Sequence, residues 1–151
     1  MRRSSPTLGV KIKLMPMTTK LSGGCACGSI RYTCSSEPVA MLNCHCQDCQ
    51  KASGAPFASG VVVLATDVKT NQELKSYSVR GGTGRLTIRS FCDNCGSPLF
   101  TKGESNPEYM SIRFPSLDDS SKFRPMLDIW TSSAPQWSCL DPVIPKFSQS
   151  P

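Results

Sequence analysis

Seven of the nine cysteines in this 151-residue chain fall into three short clusters, and their spacing constrains the fold more than any other feature. The clusters are Cys25-Ala26-Cys27, Cys44-His45-Cys46-Gln47-Asp48-Cys49 and Cys92-Asp93-Asn94-Cys95. Two residues or fewer separate neighbouring cysteines, so several sulfur atoms can converge on one point, as a tetrahedral metal ion requires. Four thiolates would saturate one zinc ion, and the other three would leave a coordination position of a second zinc ion open.

A high cysteine content is also typical of secreted domains that are held together by disulfides. Nine is an odd number, so complete internal pairing is excluded, and a disulfide within Cys25-Ala26-Cys27 would close a strained ring. No apolar stretch near the N-terminus predicts a secretory signal. Metal binding is therefore favoured, in a reducing compartment such as the cytosol or the nucleus. Cys34 and Cys139 stand alone and are expected to be small buried apolar residues.

The composition argues against a membrane span and against nucleic-acid binding. The longest apolar run, Val61 to Ala65, has five residues, whereas a membrane-spanning helix needs about 20. The formal net charge is +6, but zinc ligands are deprotonated, so seven thiolates and two zinc ions would lower it to about +3. This mild positive charge suits a small anionic ligand better than a nucleic acid.

Three regions are predicted along the chain. Residues 1–20 form a flexible leader, residues 21–140 form the zinc-binding domain, and residues 141–151 form an irregular, proline-containing tail. The leader is basic, but two prolines interrupt it, so a disordered segment is favoured over a mitochondrial presequence. A cytoplasmic protein is expected, with the nucleus and the mitochondrion as alternatives.

Alternation of apolar and polar residues predicts a mainly β domain with at most short helical turns. The chain also contains 12 prolines and 11 glycines, as expected for many turns. A β-bulge is predicted at Gly60, and a helical turn is predicted from Leu117 to Lys122, with Ser116 as its cap. The predicted strands cover residues 30–34, 39–44, 57–65, 74–79, 86–91, 98–101, 109–114 and 127–130.

The third cluster predicts half of a structural zinc site. Cys92 and Cys95 form a knuckle, in which a tight turn aims both sulfurs at one ion and Gly96 relieves the strain of that turn. Cys25 and Cys27 are predicted to supply the other half, because the remaining three clustered cysteines form a group of their own. Such a site would join distant parts of the chain and contribute folding energy to a small core.

The second cluster, Cys44, Cys46 and Cys49, is predicted to hold a second, open zinc site. Residues 44 and 46 share one face of an extended segment, and Cys49 returns after a turn. Three thiolates give the zinc site a charge of about −1, which favours holding an incoming thiolate over generating hydroxide. His45, the only histidine, points to the opposite face, so packing is favoured over a role as fourth ligand or proton shuttle.

Three basic residues are candidates for binding the substrate. Lys51 follows the second cluster, Arg85 follows a glycine-rich loop at residues 81–84, and Arg89 lies four residues further along. A glycine-rich loop can approach a carboxylate through its backbone amides, but a flexible hairpin tip explains this composition equally well.

Residues 23–28 (Gly-Gly-Cys-Ala-Cys-Gly), 44–55 (Cys-His-Cys-Gln-Asp-Cys-Gln-Lys-Ala-Ser-Gly-Ala) and 91–99 (Phe-Cys-Asp-Asn-Cys-Gly-Ser-Pro-Leu) form a specific set of motifs. In this order they resemble the glutathione-dependent formaldehyde-activating enzymes, a family that shares its domain with centromere protein V. The similarity extends from about Gly23 to Trp137.

The resemblance implies a β-tent fold of small antiparallel sheets with two zinc ions per chain. It implies a structural ion on the quartet Cys25, Cys27, Cys92 and Cys95, and a catalytic-type ion on the trio Cys44, Cys46 and Cys49. The implied activity is addition of the glutathione thiol to formaldehyde, giving S-hydroxymethylglutathione, which is a carbon–sulfur lyase reaction named for the reverse direction. Many members of the family carry a histidine where this chain has Asp128.

Three functions fit these observations. The favoured one is a zinc-dependent enzyme acting on thiol adducts of small aldehydes, in which Lys51, Arg85 and Arg89 steer the carboxylates of glutathione. The first alternative is a zinc-stabilised binding module without turnover. The second is a redox or metal-buffering role for the trio, because zinc thiolates oxidise and release metal.

Overall fold

The computed structural model describes residues 21–121 and 123–151, so the predicted leader lies outside the described residues. The described part is mainly β, as predicted, with ten strands in two sheets and one α-helix of seven residues. No helix in these ranges is long and apolar enough to cross a membrane.

The strands form a small sheet and a large sheet. The small antiparallel sheet has the order β1-β2-β5, with β1 (Leu21–Gly24), β2 (Arg31–Cys34) and β5 (Val68–Thr70). The large sheet has the order β10-β3-β4-β9-β8-β7-β6. Its strands are β3 (Ala40–Cys44), β4 (Ala58–Leu64), β6 (Lys75–Arg80), β7 (Leu86–Phe91), β8 (Pro98–Gly103), β9 (Tyr109–Arg113) and β10 (Leu127–Ile129). Among the described strands, only β10 and β3 pair in parallel.

The core contains side chains from both sheets. Val61 of β4 and Ile112 of β9 are fully buried and belong to one cluster with Tyr32 and Cys34 of β2. The ring of Tyr32 packs edge-on against Phe100 of β8, with 5.0 Å between the ring centroids. Burial of the phenol raises the pKa of Tyr32 to about 12.

All eight predicted strands are present, and their ends differ from the prediction by at most two residues. The two strands that are not predicted are β1, which has two glycines among its four residues, and β5, which has only three residues. Elements this short show too little alternation to be recognised from sequence.

Two local predictions are wrong. β4 pairs without interruption through Gly60, and the register shift lies instead between Ser90 and Phe91 of β7. The predicted helical turn does not begin at Leu117; a single 3-10 turn lies three residues earlier, at Phe114–Ser116. A proline in the first positions of this turn fixes the backbone in a helical conformation there.

Helix α1 follows the end of β3, and the C-terminal segment contacts β10, the strand that pairs with β3. Helix α1 (Gln47–Ser53) begins three residues after β3 ends. The segment after residue 140 has no helix or strand, but its backbone is hydrogen-bonded to β10. The Asp128 amide donates to the Pro145 carbonyl (2.9 Å), and the Phe147 amide donates to the Asp128 carbonyl (2.9 Å). The domain boundary near residue 140 stays a prediction.

Candidate metal centres

Two turns bring together the four sulfurs of the quartet. The Sγ atoms of Cys25, Cys27, Cys92 and Cys95 all lie within 4.8 Å of one another. Cys25 Sγ lies 3.4 Å from Cys27 Sγ, which lies 3.8 Å from Cys92 Sγ. Zn–S bonds of about 2.3 Å in a tetrahedron separate the sulfurs by about 3.8 Å. The four side chains therefore fit a closed tetrahedral metal site.

Glycines shape both turns of the quartet. Gly28, between β1 and β2, has a φ of 77°, and Gly96, between β7 and β8, has a φ of 74°, in the left-handed region that favours glycine. The Gly96 amide donates to the Cys92 carbonyl at 2.8 Å. The Ile30 amide donates to Cys25 Sγ at 3.2 Å, so the backbone also stabilises charge on a sulfur.

Two serines that are not identified from the sequence support the quartet. Ser29 Oγ lies 3.1 Å from Cys27 Sγ, and its hydrogen bond is the main cause that lowers the pKa of Cys27 to about 5. Ser97 Oγ lies 3.1 Å from Cys95 Sγ and lowers the pKa of Cys95 to about 7. Both hydroxyls favour the thiolate, which is the form that binds metal. The repeated sequence Cys-Gly-Ser in the two turns is the signal that could have revealed them.

The three sulfurs of the trio also converge. Cys44 ends β3, Cys46 is the N-cap of α1, and Cys49 lies in the first turn of this helix, so the strand–helix junction positions all three. Their Sγ atoms lie within 4.8 Å of one another, and the Cys49 amide donates to Cys46 Sγ at 3.4 Å. In residues 21–121 and 123–151, no fourth histidine, cysteine or carboxylate joins this group. The trio therefore fits a metal ion with one open coordination position.

His45 is fully buried on the other side of the β3–α1 junction and does not join the trio. Its Nε2 lies 3.0 Å from Oδ1 of Asp128, which also accepts a hydrogen bond from Asn43 Nδ2 at 3.0 Å. The side chain of Gln50 donates to the backbone carbonyl of His45 at 2.7 Å. The histidine and the buried carboxylate thus fix the backbone that carries Cys44 and Cys46.

Two arginines approach the trio from the large sheet. Arg89 and Arg113 are both buried. Hydrogen bonds from Cys44 and Cys46 and the positive charges of the two arginines lower the pKa of Cys49 to about 2. Arg89 is among the residues predicted from the sequence, whereas Arg113 is not, because an arginine at the end of a strand carries no motif.

The other two predicted basic residues lie on the surface. Lys51 is exposed on α1, and Arg85 is exposed at the tip of the β6–β7 hairpin. This tip reaches α1, because the Gly82 amide donates to Asp48 Oδ2 at 3.2 Å. The glycine-rich loop thus lies beside the trio, although Arg85 itself stays exposed.

All nine cysteines lie in the described residues and are free thiols. Cys34 is buried in the core, as expected. The expectation for Cys139 is wrong: this residue is exposed, because it follows the last regular strand and no described element covers it.

A cavity of about 550 Å³ extends from the quartet turn towards Arg113. Its wall includes Ala26, Ser53 at the end of α1, and Pro115. Ser59 also lines it and donates to Asn43 Oδ1 at 2.6 Å, which links this wall to Asp128 and His45. Arg113 is among the residues that line this cavity, whereas the cysteines of the trio are not.

The chain is similar to known proteins in sequence and in fold. An uncharacterized lyase of Schizosaccharomyces pombe is 27% identical over 92 residues, which are 59% of this chain and 64% of that relative. The crystal structure of a Rhodobacter sphaeroides protein is similar with a TM-score of 0.53 and 22% identity, covering 69% of this chain and 91% of that chain, which shows a shared fold. Residues 20–133 match the family described as glutathione-dependent formaldehyde-activating enzyme. This match spans all seven clustered cysteines, and the chain belongs to that family.

Proposed function

We propose that the protein is a zinc-dependent carbon–sulfur lyase that acts on thiol adducts of small aldehydes, such as S-hydroxymethylglutathione. The observation that carries this proposal is the trio, whose three sulfurs converge without a fourth ligand from the described residues. Membership of the family supports glutathione and formaldehyde as the model substrates. The quartet would hold a second zinc ion, with a role in folding only.

A zinc ion on the trio would supply a position that binds the sulfur of a thiol and favours its thiolate form. The protein itself contributes orientation and charge. His45 and Asp128 fix the strand end that carries Cys44, and Arg89 and Arg113 place positive charge where the thiolate approaches. In the synthetic direction, the sulfur adds to the carbonyl carbon of the aldehyde, and the carbonyl oxygen takes a proton from solvent.

The test is the rate of adduct exchange, measured by NMR for glutathione and formaldehyde with the zinc-loaded protein. We expect the wild type to accelerate exchange and Cys49→Ser to reduce it to the rate in buffer, because this variant removes one trio ligand. Cys139→Ser is the matched control, since it removes an exposed thiol outside both clusters and should exchange like the wild type. Equal rates for the wild type and Cys49→Ser would favour the alternative, a binding module without turnover.

A further inference from the structure

Arg89 and Arg113 form a buried cationic pair that no described carboxylate neutralises. Their relative exposures are 6% and 8%, and the salt bridges of the described residues involve other side chains. Nη1 of Arg89 and Nε of Arg113 are buried without a hydrogen-bond partner. Buried charged groups without partners are rare, because they lose hydration without compensation. The pair is therefore the strongest unexplained feature of the described residues.

The strand register places Arg113 on the same face of the large sheet as the trio. Arg113 pairs with Gly60 of β4, and Cys44 pairs with β4 two residues before Gly60. Alternate residues of a strand share a face, so all three lie on one side, opposite to the core side that Val61 and Ile112 occupy.

Arg89 lies on this face as well. It pairs with Thr101 of β8, which pairs with Ser111 of β9, two residues before Arg113. The hydroxyl of Thr101 is also buried without a hydrogen-bond partner. Three polar side chains without full partners thus share the face that carries Cys44.

The charges of this region do not cancel within the protein. Three thiolates and one zinc ion would contribute about −1, whereas the two guanidinium groups contribute about +2. One arginine is enough to balance the metal site, so the second remains in excess. Asp48 of α1 accepts a hydrogen bond from the Gly82 amide, and in the described residues it forms no salt bridge with either arginine. A bound carboxylate would give the unpaired N–H groups of Arg89 and Arg113 the acceptors that they lack.

We propose that Arg89, Arg113 and the hydroxyl of Thr101 form a subsite for a carboxylate of the thiol substrate, beside the open position of the trio. A guanidinium group matches a carboxylate with two parallel hydrogen bonds, and the threonine hydroxyl adds a third donor. The protein then selects thiols that carry a carboxylate a short distance from sulfur. This inference rests on the proposed function for the thiol, but the subsite itself is defined by the arginines.

The test compares two thiols that differ only in charge, 3-mercaptopropionate and 3-mercaptopropionamide. Their binding to the zinc-loaded full chain is measured by calorimetry. We expect the wild type to bind the carboxylate at least about tenfold more tightly than the amide, because charge-assisted hydrogen bonds are lost with the amide. Arg89→Gln should reduce this preference to about twofold or less without abolishing the binding of the amide. Arg80→Gln, which removes an exposed arginine from the same hairpin, should keep the preference.

Two outcomes would overturn the subsite: equal binding of the two thiols by the wild type, or an unchanged preference in Arg89→Gln. If this variant does not fold, Arg89→Lys keeps the charge but loses the planar fork and should still weaken the preference several-fold. On the wild type, the Nε resonances of Arg89 and Arg113 should shift with the carboxylate and not with the amide. A wild type that shows this preference but does not accelerate adduct exchange would refute the lyase and leave the subsite intact.

Discussion

At the scale of single residues, the carboxylate of Asp128 binds the two residues that flank Cys44 of the trio. Its side chain is 1% exposed, and one oxygen accepts hydrogen bonds from both Asn43 and His45. Asn43 and His45 flank Cys44 in the sequence, so one acceptor holds both neighbours of a trio residue. The carboxylate thus links the only histidine of the sequence to the end of β3.

We expect Asp128→Ala to lower the free energy of unfolding by about 3 kcal/mol, because two buried donors lose their acceptor. Urea denaturation of the zinc-loaded protein measures this loss. Asp118→Ala is the matched control: Asp118 is exposed, and solvent screens its ion pair with Arg31, so its removal should cost much less stability. Similar losses in the two variants would contradict a structural role for the buried carboxylate.

The sequence identifies the site residues that lie close to one another along the chain. The cysteines of each cluster are close in the chain, so their spacing alone predicts that their sulfurs converge. Arg113 comes near Cys49 only through the pairing of β4 with β3 and β9, and sequence patterns do not give that register. The alternation of side chains in a strand predicts that His45 points away from the trio. It does not identify the partner Asp128, which lies on a strand distant in the sequence.

At the scale of elements, the C-terminal segment extends the hydrogen bonding of β10. Besides its bonds with Asp128, it accepts a hydrogen bond from the Thr131 amide at the Phe147 carbonyl (3.0 Å). β10 has only three residues and lies at the edge of the large sheet, so few other groups hold it in place. The sequence does not predict that this segment pairs with β10, because it forms one isolated β-bridge and has no alternation of apolar and polar residues.

We expect deletion of residues 142–151 to increase hydrogen exchange at the Asp128 and Thr131 amides, because both lose their acceptors. NMR or mass spectrometry of deuterium uptake measures this change. Phe147→Ala is the control: it removes a partly exposed side chain and keeps the backbone bonds, so the protection of both amides should remain. Protection that survives the deletion would show that β3 alone holds β10.

At the scale of the whole molecule, the quartet joins the two sheets. Cys25 and Cys27 lie in the turn that connects β1 and β2 of the small sheet, and Cys92 and Cys95 lie in the β7–β8 turn of the large sheet. The sequence predicts which cysteines belong together, but not that the resulting site would lie between two sheets. A metal ion there would tie the two sheets together and add folding energy to a small core.

The trio, in contrast, lies at a single strand–helix junction, so its metal should matter much less for folding. We expect the wild type to contain two zinc ions per chain and Cys46→Ser to contain one, with cooperative unfolding retained. Cys95→Ser should lose the quartet ion and its cooperative thermal transition, because the binding energy of a structural zinc ion is folding energy. Cys95 is exposed, so lost packing would not explain that result. Elemental analysis and circular dichroism measure both properties, and a Cys95→Ser variant that unfolds like the wild type would refute the structural assignment of the quartet.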